Sequence, residues 1–102
     1  TIVVNDSKEE VKENIAWVKA DFNDRLPQQI LNLLVQKNIQ SLIVEGGPFT
    51  IQKFVDVNLW DEARIITAPV LLNSGKTSPV ISGTLTAQFS LMEDKVEFWK
   101  RV

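Results

Sequence analysis

Cysteine and histidine are both missing from these 102 residues. No disulfide framework and no thiolate chemistry is available, and the usual nitrogen and sulfur ligands of zinc are absent together. Any redox chemistry therefore has to be carried by a bound organic cofactor. A strong charge of one sign is lacking too. Eleven basic residues against thirteen acidic ones leave a formal charge of −2, which is no electrostatic footprint for nucleic acid or anionic lipid. No apolar run approaches the about 20 residues that span a bilayer, and no secretory leader is visible, so a cytoplasmic location is expected. The chain also lacks G-x-G-x-x-G, the fingerprint of a standard dinucleotide-binding turn. SGKTS (74–78) imitates the tail of a phosphate-binding Walker loop, but Val70 stands where the first glycine belongs and no helix follows.

What is present is an ordinary globular composition, with 44% apolar and 24% charged residues, which predicts a soluble, packed core. The length allows one small domain or a piece of one, not two independently folding halves. Thr1 opens directly on a strand-like TIVVN, without an initiator methionine or a polar lead-in. A segment of a longer protein is therefore expected.

Thr1 to Asn5 is β-branched and stops at the turn-forming Asn5-Asp6-Ser7, which predicts a strand. Ser7 and Glu10 stand at capping-box spacing, predicting a short helix over Lys8 to Glu13. The charges of KEEVKE (8–13) form a solvated face. Residues 15 to 21 read as a second strand. From Leu26 the period changes: Leu26, Ile30 and Leu34 are four apart, as are Leu31 and Val35, so a helix over Pro27 to Lys37 follows, with Asn38 as its left-handed stop. Ser41 to Val44 predicts a short strand covered on both faces, Pro48 to Asn58 a second helix ending at Asn58, and Ala63 to Val70 another strand. Thr86 to Met92 and Lys95 to Val102 alternate around Glu93-Asp94-Lys95 as an antiparallel hairpin. The segment Leu71 to Gly83 is a polar surface loop of functional length. The fold class is α/β: a mixed, mostly parallel sheet with flanking helices and a C-terminal antiparallel hairpin.

SLIVEGGPFT (41–50) carries the main chemical suggestion. A strand ending at Glu45 and turning directly into a helix at Pro48 sets the first free N–H groups of that helix at the carboxyl edge of the sheet, where α/β proteins bind ligands. Gly46 and Gly47 remove the Cβ atoms that would hold a ligand off the backbone. A phosphate could settle on the N–H groups of residues 47 to 50, with the Thr50 hydroxyl beside it and Lys53 at the rim. The alternative is a tight strand-to-helix turn whose glycines serve packing only. Glu45 either caps its own turn or, as a carboxylate at a strand end that needs hydrogen bonds, receives a polyol. Asp61-Glu62 reads as a turn cap rather than an acid/base pair. Trp17, Trp60 and Trp99 read as packing groups, with Trp99, out of phase with Phe98, also marking an exposed patch or a contact between chains.

Taken together, residues 40 to 72 (QSLIVEGGPFTIQKFVDVNLWDEARIITAPVLL) resemble the C-terminal part of the reductase domain of the bifunctional riboflavin biosynthesis protein RibD. The likeness lies in a strand, Glu45-Gly46-Gly47, a helix, Leu59-Trp60-Asp61-Glu62 and a strand ending in Ala68-Pro69. The resemblance implies a dihydrofolate-reductase-like fold, here a partial domain over residues 1–102. It also implies NADPH-dependent reduction of the ribosyl group of 5-amino-6-(5-phosphoribosylamino)uracil to ribityl. Glu45 would then face the substrate's sugar, as a positioning group in preference to a catalytic proton carrier. Gly46, Gly47, Pro48, Phe49, Thr50 and Lys53 would hold the cofactor, with Asn5 and Ser7 as candidates for its 2′-phosphate. A non-catalytic α/β binding module, or a related reductase acting on a pterin or another pyrimidine, is the rival. Earlier strands of such a domain would lie before Thr1, so the isolated segment is expected to be inactive and to bind NADPH weakly. A homodimer formed through an exposed edge along Thr1 to Asn5 is also expected.

Overall fold

The computed structural model describes all 102 residues. They form two compact units, Thr1–Ile43 and Val44–Val102.

In the first unit, strands β1 (Ile2–Asn5), β2 (Glu10–Lys12) and β3 (Ile15–Lys19) form a sheet in the order β1-β3-β2. β1 runs parallel to β3 from Ile2↔Ala16 to Asn5↔Lys19, and β2 is antiparallel to β3. The helix expected over Lys8 to Glu13 is not there. The Asn5 side chain takes the amides that would have opened it: its Oδ1 accepts from Ser7 N (3.0 Å) and Lys8 N (2.6 Å), while Nδ2 donates to Lys8 O (2.9 Å). This Asx-type turn satisfies the backbone locally, and six residues are too few to offset the cost of helix nucleation without packing. Residues 10–12 pair with β3 instead. Lys8 crosses to the Trp17 ring, with Nζ 4.0 Å from its centroid.

Helix α1 (Leu26–Gln36) follows, with Pro27 buried in its first turn. Its inner side takes Ile30, Leu31, Leu33 and Leu34, whereas Val35, expected on the apolar stripe, is 71% exposed. Asn38 adopts φ 59°. Asn38 N donates to Val35 O and Ile39 N to Leu34 O, the paired bonds of a Schellman end.

The second unit begins with α2 (Pro48–Asp56) and continues as β4 (Glu62–Thr67), β5 (Thr84–Leu91) and β6 (Asp94–Lys100), in the order β4-β6-β5 with both pairings antiparallel. α2 ends as α1 does: Asn58 is left-handed at φ 59°, with Asn58 N bonded to Val55 O and Leu59 N to Phe54 O. The expected hairpin is present, turning through Met92 (φ 56°). A bulge between Leu85 and Ala87 shifts its register, and there the Thr86 hydroxyl donates to Phe98 O (3.1 Å). Phe89 stacks on Phe98 with centroids 5.8 Å apart, and Arg64 lies 5.2 Å from the same Phe98 ring.

Three expectations fail here. Ser41 to Val44 forms no strand, and Leu42 and Ile43 are 43% and 84% exposed. A strand buried on both faces needs a ladder on each side, and neither small sheet offers one. The sheet is also not mostly parallel, since of the four strand pairings only β1 with β3 is. The packed core is thin, with Phe54 and Val96, each 5% exposed, as its buried hydrophobic residues. A single three-stranded layer per unit cannot enclose more. No helix is long and apolar enough to cross a membrane.

Candidate functional site

The candidate site is the turn into α2. Gly46 has φ +110°, a conformation that side chains rarely adopt. Gly47 is extended (φ −66°, ψ 150°) and stands as the N-cap, with no side chain capping the helix. A Cβ built on either glycine meets nothing within 4 Å. Pro48 follows in the first turn, where its missing N–H leaves no orphan. Thr50 N and Ile51 N both donate to Gly47 O, at 3.2 and 3.5 Å. The cradle expected from residues 47 to 50 therefore narrows: Pro48 has no donor, Thr50 N is engaged, and the N–H groups of Gly47 and Phe49 are left without a protein acceptor.

Phe49 is 72% exposed. Lys53, one turn further on, brings its Nζ to 4.8 Å from the Phe49 ring centroid, so a cation does stand near this helix end, held by an aromatic face. The Thr50 hydroxyl makes no bond within the chain. Glu45 immediately precedes the turn and is exposed, without an ion pair. The premise that burial forces a partner on this carboxylate fails because the strand before it does not form. Its oxygens are left to accept from outside the chain.

The model of the RibD C-terminal domain matches residues 1–98, which takes in both units and every residue of the turn. The chain belongs to the RibD C-terminal domain family. Solved structures share the fold. One is a protein from Shewanella sp. PV-4 ascribed to riboflavin biosynthesis, with 22% identity and a TM-score of 0.68 over 99% of this chain and 59% of that one. Another is the riboflavin biosynthesis reductase Rib7 of Saccharomyces cerevisiae, with 22% identity and a TM-score of 0.75 over 97% of this chain and 54% of that one. The chain thus spans little more than half the length of these two. No curated protein sequence matches it.

Within this RibD C-terminal domain, Glu45, Gly46, Gly47, Pro48, Phe49 and Thr50 fall on one continuous turn and helix start, and Lys53, in the last turn of α2, reaches back to the Phe49 ring. Asn5 and Ser7 do not present free groups. Asn5 is consumed by its own turn, with Nδ2 also reaching Val18 O (3.3 Å), and the Ser7 hydroxyl donates to Asn5 Oδ1 (3.4 Å). Asp61 and Glu62 stand against the end of β6, beside Arg101 (3.6 Å) and Lys100 (3.8 Å), which agrees with a structural role.

Two constellations were not anticipated. Gln52 on α2 bonds Asp56 and the backbone of Val80. The i,i+4 half of that was readable as a helical pair; the half spanning 28 residues had no local signal. Glu97 is the second: its carboxylate takes Lys95 Nζ at 2.5 Å and the Trp99 indole N–H at 3.0 Å. The Lys95 bond, then the Trp99 bond, hold its pKa below the ordinary value of 4.5 against the opposing effect of burial. Trp99 is half-buried and its polar atom is satisfied.

Proposed function

We propose that this chain supplies part of the cofactor and substrate site of an NADPH-dependent reductase of riboflavin biosynthesis, which converts the ribosyl group of 5-amino-6-(5-phosphoribosylamino)uracil to ribityl. The observation that carries the reading is the start of α2. Two backbone donors, Gly47 N–H and Phe49 N–H, have no protein acceptor, and a Cβ built on Gly46 or Gly47 meets nothing within 4 Å. Anionic oxygens are the groups such a terminus takes, helped by the positive end of the helix dipole. The residues present therefore fit a dinucleotide's phosphates: Gly46 and Gly47 admit them, the Thr50 hydroxyl adds a donor, and Lys53 adds charge at the rim.

When bound, NADPH supplies a hydride that, with one proton, reduces the C=N bond of the ring-opened sugar. Glu45, exposed and unpaired, accepts from the sugar hydroxyls and sets the carbon to be reduced against the donor. A homodimer pairing through β1, an edge of its sheet, belongs to the same proposal, as does a cytoplasmic location. A strictly monomeric species in concentrated solution removes the dimer.

The test is NADPH oxidation by the full-length protein with the phosphoribosylaminouracil as substrate. Glu45→Gln keeps the shape and is expected to lower kcat/KM by about 10–100-fold, with the Kd for NADPH within about twofold of wild type, because the lost bonds are to substrate. Oxidation with a pterin alone selects the related-reductase reading. Failure to bind NADPH leaves a non-catalytic module.

A further inference from the structure

Gln52 lies one turn into α2, and its amide is used completely. Oε1 accepts from Val80 N (2.8 Å) and Nε2 donates to Val80 O (3.4 Å), so one side chain meets both backbone groups of a residue 28 positions away, as a neighbouring strand would. Nε2 also donates to Asp56 Oδ1 (2.7 Å). That bond fixes which way the amide points: the carboxylate can only accept, so Nε2 faces it and Oε1 is left for the Val80 N–H.

Val80 sits in the Leu71 to Gly83 segment, which carries no helix or strand. Lys76-Thr77-Ser78, its most polar stretch, precedes the clasped residue by two to four positions. Four residues of chain reach at most about 14 Å. Gln52 itself is only about 6 Å along the helix axis from Pro48. The clasp therefore limits how far these polar side chains can stray from α2.

Resting on the function proposed above, we infer that Gln52 is a positioning residue, which clips the 71–83 segment to α2 so that Lys76, Thr77 and Ser78 form a second wall around the dinucleotide's phosphates. Asp56 is the titratable group bonded to the clasp, and Lys76 is the one titratable residue of the segment.

The test uses the full-length protein with two substitutions, Gln52→Ala and Gln52→Glu. Gln52→Ala is expected to speed hydrogen exchange at the Val80 amide by at least about tenfold. It is also expected to raise the KM for NADPH about tenfold while kcat stays within about twofold, since only binding geometry is lost. Gln52→Glu sets two carboxylates at hydrogen-bond distance. Two such groups share a proton as pH falls, and the protonated Glu restores a donor to Asp56 and an acceptor to Val80. Its KM should fall as the pH is lowered, while that of Gln52→Ala should not.

Unchanged exchange at Val80 in Gln52→Ala overturns the clasp. Faster exchange with an unchanged KM overturns the positioning role and leaves the proposed function standing. A wild-type protein that does not bind NADPH removes that function and this role with it, while Val80 exchange still reports whether the clasp exists.

Discussion

The glycines of the second unit occupy two opposite environments. At Gly83, just before β5, a Cβ would fall against the Lys100 carbonyl oxygen and 2.9 Å from the Trp60 ring. At Gly46 and Gly47 a Cβ meets nothing. The fold accounts for Gly83, because only a bare Cα lets that backbone approach β6. It also accounts for Gly46, through its positive φ. It accounts for Gly47 only as the N-cap of α2, where glycine is preferred to alanine, since its extended φ and ψ suit any residue. On the function proposed above, Gly47 also lets a phosphate come close to its N–H. That contrast sets a glycine required by packing against one that the proposed function would use, within the same unit.

The largest expected effect breaks the packed side. Gly83→Ala should destabilise the protein by on the order of 3 kcal/mol, the upper end of the range for overpacking, because the obstructing atom is backbone and cannot rotate away. Chemical denaturation measures this. A loss under about 0.5 kcal/mol would show that β5 and β6 are free to separate at this point, and the contrast with the open turn would disappear.

Much of this molecule was legible in the sequence because the signals were local. Pro27 and Pro48 marked both helix starts, Asn38 and Asn58 marked both left-handed ends, and the alternation around Glu93 gave the hairpin. The failures were decided outside the window that was read. Ser41 to Val44 has a strand's composition, but a strand exists only where a partner completes its ladder. Ser7 and Glu10 match a capping box, but Asn5, two residues outside that window, took the amides first. At the site, the glycine turn could be read from residue types. Which amides stay free could not, because Thr50 N is taken by Gly47 O through the helix geometry itself.

Gly47→Ala sharpens the comparison from the open side. Alanine adopts the Gly47 backbone without strain but caps a helix less well than glycine, so stability should fall by no more than about 1 kcal/mol. The added methyl lies beside the Gly47 N–H, so the Kd for NADPH should rise about tenfold, equal to about 1.4 kcal/mol. Titration of the full-length protein with NADPH, next to its denaturation curve, reads both. Unchanged affinity with unchanged stability would reduce this glycine to a neutral turn residue.

The smallest effect completes the dissociation, and it belongs to Glu97. Lys95 and Trp99 stabilise its charged form, so its folded pKa lies below the ordinary 4.5. A carboxyl depressed on folding contributes stability that is present above that ordinary value and lost as pH falls through the folded one. Glu97→Gln should therefore be slightly less stable than wild type at pH 7, and the gap should close as the pH is lowered below 4.5. Its affinity for NADPH at pH 7 should match wild type, the reverse of what Gly47→Ala shows, because the Lys95-Glu97-Trp99 ladder stiffens β6 and has no bond to the turn at Gly47. A stability gap that persists unchanged at low pH would mean that the side chain acts through shape and not through charge.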